Sequence, residues 1–557
     1  MSDIIKTPRS CAKKALHQPT HRFDHLDRII CQREWIETAL EGVLANKGAR
    51  TPGLDGITKE ELVTEGSCSA LVQALEQELR EGSYHPLPIR RVYIPKGNGK
   101  HRPLGISTLK DRGVQMLIKR VLEPIWESDF LNYSNGFRPG RRTMDCIALL
   151  DSYLNEHNKY FWVIEGDIRA AFDNVCQDLR LDLLTERVAD RRLLELIDNL
   201  LKAGLRQGKL FHRTDAGVPQ GAIGSPLMAN GYLPPLDQYW WRHYGGLDRK
   251  AKERRRQAHQ GNWALIRDAD DGLLLTNGSK PEAYRLRDEF QAFGSKLKLE
   301  LAVEKTHVTH VNDGFDFLGF QVRRYVSGHD RPKLLVTPSD KAQQRLKTKI
   351  KEMTARRRFR DSPLLKFSAL NAVLRGWITD SRHSNAKETA KDLDFWVNQR
   401  LFGWLEKRHG VNASRILTLY QHRENGTRNN LGIQNGEQML FLYRMSDQPI
   451  TKYRSHKPPN PYLMDDWMTQ IEQPEAPLPD YIWLGNAENN ERWREIKAQV
   501  KAERGAKCER CGSPVNLDLH HRKAKRYGGK DTSDNAELLC ESCHMQTPTY
   551  GDHGRLQ

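Results

Sequence analysis

Several short apolar runs in the first 340 positions predict strands. Residues 160–164 (YFWVI) form one continuous run, and residues 86–110 predict a hairpin whose turn is the Gly-Asn-Gly segment 97–99. Residues 263–276 contain two further runs, WALI and LLLT, which an acidic turn joins. The pattern therefore predicts several buried strands, two of which end in acidic residues.

Helical spacing of apolar residues dominates elsewhere. One helix is predicted after residue 111, and we expect Pro124 to end it because proline lacks the backbone donor that a helix interior needs. Beyond residue 340, three segments have apolar residues at helical spacing among many cationic residues. They predict three amphipathic helices that form a small bundle. The segments include RLKTKIKEMTARRRFR, then Leu370, Val373, Leu374 and Trp377, then Leu393, Trp396, Val397, Leu401, Trp404 and Leu405.

Length and charge narrow the possibilities further. The 557 residues are too many for one compact core, so we expect roughly two to four domains. Lys and Arg number 88 against 71 Asp and Glu, and the net charge of +17 favours a phosphate backbone as a partner. No apolar run reaches the roughly 18–20 residues of a membrane span, and no secretory or transit segment is evident. We expect a cytoplasmic, nucleoid-associated bacterial protein without a membrane partner, and an organellar origin stays open.

The acidic turn within 263–276 contains two adjacent carboxylates, Asp270 and Asp271. Alone, such a pair predicts a solvated hairpin tip, because neighbouring carboxylates repel one another and resist desolvation. Here Asp167 ends another strand-like run. Three carboxylates brought together at a sheet edge would hold two Mg²⁺ ions, which is the chemistry of nucleotide polymerisation.

The nine cysteines form two populations. Five are scattered singly and are typical of reduced thiols. The other four form two C-x₂-C pairs, Cys508/Cys511 and Cys540/Cys543, whose spacing predicts a structural Zn²⁺ site. An inert zinc ribbon would explain these cysteines but not the polar residues around them, which are His520, His521, Asn535 and His544.

Ordered blocks over most of the chain resemble the group II intron-encoded proteins, a family of reverse transcriptase/maturases. The blocks are VYIPKGNGKHRPLGISTLKDR (92–112), SNGFRPGRRTMDCI (134–147), GDIRAAFDNV (166–175), GVPQGAIGSPLMANGYLPPLD (217–237), RDADD (267–271), FDFLGFQVRR (315–324) and LRGW (374–377) with WLEKRH (404–409). Their common order, more than any single block, makes the resemblance specific.

The resemblance implies roles for residues of a polymerase site. Asp167 and Asp270 would be the primary Mg²⁺ ligands, with Asp271 adjacent to them. The nucleotide and template contacts would come from Lys96 and Arg102 on the incoming triphosphate, Phe172 as the gate against a ribose 2′-hydroxyl, and Gln220 beside the nascent base pair. One departure stands out: Asp268 replaces the tyrosine that the family has in this box.

The C-terminal module resembles the HNH nuclease motif, which is also a usual C-terminal domain of this family. By that resemblance, His520 and His544 hold one catalytic divalent ion, either Mg²⁺ or another metal. His521 is the general base that activates water, and Asn535 orients it through a backbone hydrogen bond.

Together these features predict a multidomain α+β protein. The resemblance implies a right-hand polymerase with fingers and palm, a helical thumb/maturase domain, a DNA-binding region and a small zinc-containing HNH domain of the ββα-metal type. The expected boundaries are 1–85 for an N-terminal extension and the start of the fingers, 86–335 for fingers and palm, 336–412 for the thumb/maturase domain, 413–490 for the DNA-binding region and linker, and 491–557 for the HNH endonuclease.

The implied function is that of a mobile-element enzyme. It would bind its cognate intron RNA and assist splicing, nick a DNA target, and extend the nicked end from dNTPs by copying the RNA. The alternative is a non-catalytic, RNA-binding maturase whose polymerase site is impaired by Asp268. A defence-type nuclease with a polymerase fold is disfavoured by the maturase-like LRGW helix.

Overall fold

The computed structural model divides into two compact units. The first unit comprises residues 1–314, 324–334 and 454–473, and the second comprises residues 315–323, 335–453 and 474–557. The structure describes residues 3–63, 67–95, 101–154, 160–167, 177–208, 210–212, 221–299, 306–325, 333–424, 426, 428–451, 453, 460–464, 496–497, 499–512, 517–522, 532–540 and 543.

The first unit begins with helices and continues as strands interleaved with helices. Its N-terminal elements are α1 (Asp3–His17), α2 (Asp27–Ile30), α3 (Arg33–Ala45), α4 (Lys59–Leu62) and α5 (Ser67–Glu81). The following elements are β1 (Ile89–Pro95), β2 (His101–Ile106), α6 (Leu109–Asp129), α7 (Thr143–Leu154), β3 (Trp162–Asp167), α8 (Gln177–Thr185), α9 (Arg191–Lys202), β4 (Leu205–Gln207), β5 (Leu210–His212), α10 (Ser225–Tyr232), α11 (Pro234–Trp240), α12 (Arg249–Gln257), β6 (Trp263–Asp268), β7 (Asp271–Thr276), α13 (Lys280–Lys296) and β8 (Val308–His310).

The central sheet of this unit has the strand order β6-β7-β3-β8. Its strands are continuous apolar runs, and neighbouring residues such as Val163 and Ile164, or Leu274 and Leu275, are all buried. Such runs occur when both faces of a sheet are covered, and α7 and α13 pack on this one. The strands predicted from residues 160–164 and 263–276 are confirmed.

A second sheet of the first unit has the order β2-β1-β4-β5. Strands β1 and β2 pair antiparallel from Arg90 opposite Ile106 to Pro95 opposite His101. The hairpin predicted over residues 86–110 is therefore confirmed, while its turn lies outside the described residues.

The expectation that Pro124 ends a helix is wrong. Helix α6 runs through Pro124 to Asp129. Proline costs a helix interior about 3 kcal/mol, but Val121, Leu122, Ile125 and Pro124 itself are all buried here. Burial of these apolar side chains outweighs the lost hydrogen bond, so tertiary packing overrides the local preference.

The next part of the chain contains six more strands and four α-helices among the described residues. Strands β9 (Phe315–Phe317), β10 (Phe320–Tyr325) and β11 (Lys333–Pro338) form a sheet of order β11-β10-β9. The elements that follow are α14 (Asp340–Met353), α15 (Pro363–Ser381), α16 (Lys387–His409), α17 (Ala413–Tyr420), β12 (Gln421–Glu424), β13 (Arg428–Asn435) and β14 (Gln438–Phe441).

The predicted bundle of three helices after residue 340 is confirmed as α14, α15 and α16. Leu346, Ile350, Leu374 and Trp404 are buried in its core. The sequence did not predict α17 or the antiparallel sheet β12-β13-β14, which packs on the same core through Leu431.

The C-terminal module contains a β-hairpin. Strands β15 (Leu517–His521) and β16 (Ala536–Cys540) pair antiparallel, and a short core of Ile496, Val500 and Leu538 packs beside them. Among the helices that the structure describes, none has the length and apolar character needed to cross a bilayer.

Residues 460–464 return to the N-terminal part of the first unit. Tyr462 is buried beside Ala12 of α1 and donates a hydrogen bond of 2.6 Å to the Glu123 carboxylate of α6. Asn460 donates to the Ser128 hydroxyl at 2.9 Å, and that hydroxyl donates to the Ala12 carbonyl. The segment is therefore attached to α1 and α6 by polar contacts within an apolar site.

We predict that Tyr462→Phe destabilises the first unit. The change leaves the buried Glu123 carboxylate without its hydroxyl donor, and a hydrogen bond to a charged group contributes roughly 1.5–3 kcal/mol. Urea unfolding of the full chain should show the loss, whereas Tyr325→Phe, at a ring that is 56% exposed, should change little. Equal unfolding midpoints for the two variants would contradict this role of Tyr462.

Candidate active sites

The acidic residues predicted to form a metal site lie at one end of the central sheet. Strand β6 ends at Asp268, Ala269 and Asp270 form the turn, and β7 begins at Asp271. The backbone of Asp167, at the end of β3, lies directly opposite Asp271 in an antiparallel register. Opposed residues in such ladders have Cα atoms about 4.5–5.5 Å apart. The topology thus brings the end of β3 next to the acidic turn, from which it is distant in sequence.

The turn between β6 and β7 is held in an uncommon conformation. Ala269 has φ +57°, in the left-handed region that non-glycine residues seldom adopt. The Arg267 guanidinium donates to the Ala269 carbonyl at 2.9 Å. Gly136 lies against the same turn. A Cβ at this position would be 2.3 Å from the Ala269 nitrogen and from an Asp268 carboxylate oxygen, which is too close for any side chain. Only glycine allows this approach.

One buried ion pair fixes the start of that turn. The Arg267 Nε donates to Asp237 Oδ1 at 3.0 Å, and the Arg267 Nη2 donates to Asp237 Oδ2, so the pair is bidentate. Both side chains are almost fully buried. Tyr133 donates its hydroxyl to the Asp237 carbonyl. The pair therefore connects the RDADD block to the end of the 217–237 block.

The segment around Gly136 is itself tied to both of these blocks. It runs parallel to β6 through a bridge between Ser134 and Arg267, and the Asn135 N–H donates to the Arg267 carbonyl at 2.8 Å. Asn230 of α10 donates to the Gly136 carbonyl at 2.7 Å. Three of the sequence blocks thus meet around the acidic turn.

Asp268, the departure noted in the sequence, is half-buried. Burial raises the pKa of Asp268 above its ordinary value, and nearby Asp270 adds to the increase against the opposing charge of Arg267. One of its carboxylate oxygens faces Gly136. Asp270 is also half-buried, while Asp271 is exposed.

The structure describes only some of the other predicted polymerase residues. Arg102 is exposed on β2, opposite Ile94 of β1. For Asp167 only the backbone is described, and three predicted residues lie outside the described part of the chain, namely Lys96, Phe172 and Gln220.

Sequence reasoning assigned no role to Arg267, Asp237 or Asn230. All three lie inside the recognised blocks. The available signal for Arg267 and Asp237 was their charge within otherwise apolar segments, whereas Asn230 carries no such signal. A buried charge requires a partner, but the sequence does not say which residue provides it.

The four paired cysteines converge in the C-terminal module. The sulfur atoms of Cys508, Cys511, Cys540 and Cys543 all lie within 4.8 Å of one another, and the Cys511 and Cys540 sulfurs are 3.5 Å apart. Sulfurs bound to one Zn²⁺ at about 2.3 Å in a tetrahedron would be about 3.8 Å apart. The cluster is therefore compatible with zinc.

Nearby backbone N–H groups favour the ionised form of the Cys508 thiol. Burial of Cys508 opposes its ionisation, but N–H groups of Cys540, Cys511 and Arg510 donate to its sulfur and lower its pKa to about 6. A thiolate is the form that binds a metal.

Three of the predicted nuclease residues, His520, His521 and Asn535, belong to the hairpin that also carries Cys540. His520 is buried on β15 and its backbone is opposite Glu537, while the backbone of His521 is opposite Ala536. Asn535 precedes β16, and its carbonyl accepts a hydrogen bond of 2.8 Å from the Arg522 N–H. The hairpin thus brings the backbones of His521 and Asn535 close together; the His521 side chain and His544 lie outside what the structure describes.

Models of three protein families match successive parts of the chain. The family described as reverse transcriptase (RNA-dependent DNA polymerase) matches residues 94–322. The group II intron maturase-specific domain matches residues 343–420, and the HNH endonuclease family matches residues 508–547.

Similar proteins include bacterial and yeast examples. The chain is 39% identical over 358 residues to protein YkfC of Escherichia coli, covering 61% of this chain and 93% of that protein. It is 26% identical over 609 aligned residues to the group II intron-encoded protein LtrA of Lactococcus lactis, covering 94% and 95%. It is 23% identical over 597 residues to the putative COX1/OXI3 intron 1 protein of Saccharomyces cerevisiae, covering 92% and 68%.

We predict that Arg267→Met strongly destabilises the first unit, because it leaves Asp237 charged and buried without a partner. Breaking a buried ion pair from one side costs about 3–5 kcal/mol. The double variant Arg267→Met/Asp237→Leu removes both charges and should recover much of that loss in thermal or urea unfolding. If the double variant is no more stable than Arg267→Met, the buried charge is not the cause.

Proposed function

The chain belongs to the group II intron-encoded proteins that combine reverse transcriptase, maturase and HNH endonuclease domains, and we propose residue roles for each activity on that premise. It is a multifunctional enzyme that copies RNA into DNA, assists intron splicing and nicks DNA during target-primed reverse transcription and intron mobility. It binds intron RNA, as its maturase-specific domain and its likeness to LtrA imply.

We assign the polymerase site to the acidic end of the central sheet. Asp167 and Asp270 bind two Mg²⁺ ions, with Asp271 next to them, since carboxylate oxygens are the ligands that Mg²⁺ prefers. Mg²⁺ held by these carboxylates would supply activation of the primer 3′-hydroxyl and stabilisation of the leaving pyrophosphate. The register of β3 against β7 is the single observation that carries this assignment.

The assignment of substrate contacts follows the family resemblance. Arg102 is exposed on β2, where a planar guanidinium suits a triphosphate. Lys96, which follows β1 in the sequence, provides a second cation. Phe172 excludes the ribose 2′-hydroxyl and Gln220 contacts the nascent base pair. The substrates are dNTPs, an RNA template and a target DNA, within a bacterial cytoplasm or nucleoid.

The domain boundaries expected from the sequence form part of this proposal, with one adjustment. The matched reverse transcriptase and HNH regions fall inside 86–335 and 491–557. The matched maturase region extends past residue 412 and includes α17. We therefore extend the thumb/maturase domain to residue 420 and begin the DNA-binding region after it.

Replacement of Asp270 with Ala should abolish primer extension on poly(rA)/oligo(dT). Loss of a carboxylate that holds the ions removes several kcal/mol of transition-state stabilisation, about a thousandfold in rate. The control is Asp288→Ala, which removes an exposed carboxylate from α13 and should leave the rate unchanged. A variant at 270 that extends primers as well as the control would overturn the assignment of this site.

The alternative of a non-catalytic maturase finds no support in the similar proteins. Its motivating feature, Asp268, has a raised pKa and a carboxylate oxygen against Gly136. A parent protein that fails to extend primers, together with an Asp268→Tyr variant that does extend them, would establish this alternative instead.

For the nuclease, we propose that His521 acts as the general base and that Asn535 orients it. His520 and His544 bind the catalytic divalent ion, while the four cysteine sulfurs hold a structural Zn²⁺. The metals differ because thiolates favour Zn²⁺, whereas two imidazoles accept several divalent ions.

His521→Ala should abolish nicking of the DNA target while primer extension persists. A general base contributes about 10²–10⁴-fold to the rate of its reaction, and the polymerase site uses different residues. His422→Ala, on β12, serves as the matched control and should retain both activities. Parallel loss of both activities in the variant at 521 would indicate unfolding and not loss of a base.

A further inference from the structure

The helix α12, RKAKERRRQ, carries six cationic residues and one acid immediately before the strand that leads to the acidic turn. At 100° per residue, the cationic side chains separate into two groups around the helix axis. Lys252 and Arg255 lie on the half that is partly buried. The other half presents Arg249, Lys250, Arg254 and Arg256, which are all exposed.

The inner half attaches the helix firmly to the first unit. Arg255 donates two hydrogen bonds to the Gly261 carbonyl, at 3.2 and 2.8 Å, and its guanidinium lies 5.6 Å from the ring centres of both Tyr244 and Trp263. The Asn262 amide donates to the Lys252 carbonyl at 3.0 Å. Asp248 caps the first turn by accepting the Ala251 N–H. The outer cations are therefore held on a fixed support.

The outer half has the composition of a surface for phosphate groups. Its four cations surround a single acid, Glu253, which is 3.9 Å from Arg256 in an exposed pair worth little energetically. It carries no aromatic side chain on which a base could stack. These residues suit contacts to the phosphate backbone of a nucleic acid, which do not depend on the identity of the bases.

The position of α12 separates it from the polymerase site. Arg255 fixes the helix at Trp263, the first residue of β6, whereas the acidic turn follows Asp268 at the other end of that strand. Five residues of extended strand span about 17 Å. Phosphates held by α12 thus belong to nucleic acid outside the site where the primer end and nucleotide meet.

From these observations we infer that α12 is a docking surface for the phosphate backbone of the intron RNA, formed by Arg249, Lys250, Arg254 and Arg256 and distinct from the polymerase site. The inference rests on the proposed function, which requires the protein to hold its own intron RNA. A rigid cationic helix achieves this at small entropic cost, because Arg255 and the N-cap have already ordered it.

The test uses RNA transcribed from the DNA that flanks this reading frame. In the full chain, the four outer cations are replaced together by Gln, and RNA affinity is measured over a series of KCl concentrations. Because each phosphate contact contributes about 0.7–0.9 to the slope of log affinity against log salt, the slope should fall by about 3. Affinity near 0.1 M salt should fall at least about tenfold.

The matched control replaces four exposed cations that are scattered over α9 and α13, namely Arg191, Lys202, Arg285 and Lys296, also by Gln. It changes the net charge equally, so its slope should stay close to that of the parent. Both variants should extend poly(rA)/oligo(dT) at the parental rate, which also shows that they fold.

Three outcomes would overturn the inference. Equal RNA affinity and equal salt slope in the α12 variant and the control would show that α12 is not a docking surface for the RNA. Weakened binding of a template–primer duplex with unchanged intron RNA binding would assign α12 to that duplex instead. A parent that does not bind the flanking RNA would refute the proposed function along with the surface, whereas the first two outcomes leave the proposed function standing.

Discussion

The buried ion pair between Arg267 and Asp237 is the constraint on which the acidic turn, and with it the proposed polymerase site, depends. Its partners are 30 positions apart in the sequence and almost fully buried. Desolvating two charges is costly unless they meet in good geometry with their remaining donors satisfied. Here the pair is bidentate, and a further Arg267 N–H binds the Ala269 carbonyl. The fold can bury these charges only when the acidic turn is in place.

The same constraint explains how an uncommon backbone conformation persists at Ala269. A left-handed residue other than glycine costs about 1–2 kcal/mol. That cost is offset because the turn is held from one side by Arg267 and from the other by Gly136, whose own carbonyl accepts from Asn230. Strain supported in this manner is typical of functional sites. The carboxylates of the turn are consequently presented at a fixed place on the sheet.

The two proposed catalytic regions offer different metal ligands for chemistry on the same kind of substrate. The acidic turn offers carboxylate oxygens, which suit Mg²⁺, whereas the C-terminal module offers thiolates and imidazoles, which suit Zn²⁺ and other divalent ions. In the proposed function, polymerisation and nicking therefore use separate ligand sets. The module is small, and its apolar core of Ile496, Val500 and Leu538 is short. A bound metal can supply the stability that such a core lacks.

Several elements could be predicted from the sequence because their signals are local. The apolar runs at 160–164 and 263–276, the hairpin arms around β1 and β2, and the helical stripes after residue 340 each carry their own periodicity. Local rules failed at Pro124, where burial of neighbouring residues outweighs the missing hydrogen bond. They also missed the sheet β12-β13-β14, whose polar strands are stabilised by packing on the helical core and not by a strong pattern of their own.

The sequence by itself determined the family, the order of the domains and the residue types of both sites, because blocks and C-x₂-C spacings are linear features. Only the tertiary structure decided that the backbones of Asp167 and Asp271 lie opposite each other, that Arg267 pairs with Asp237, and that Arg255 points inward while its neighbours on α12 point out. These facts depend on strand register and on which groups are buried together. Register and burial follow from the free energy of the whole fold, in which each charge finds its partner only after distant segments have packed.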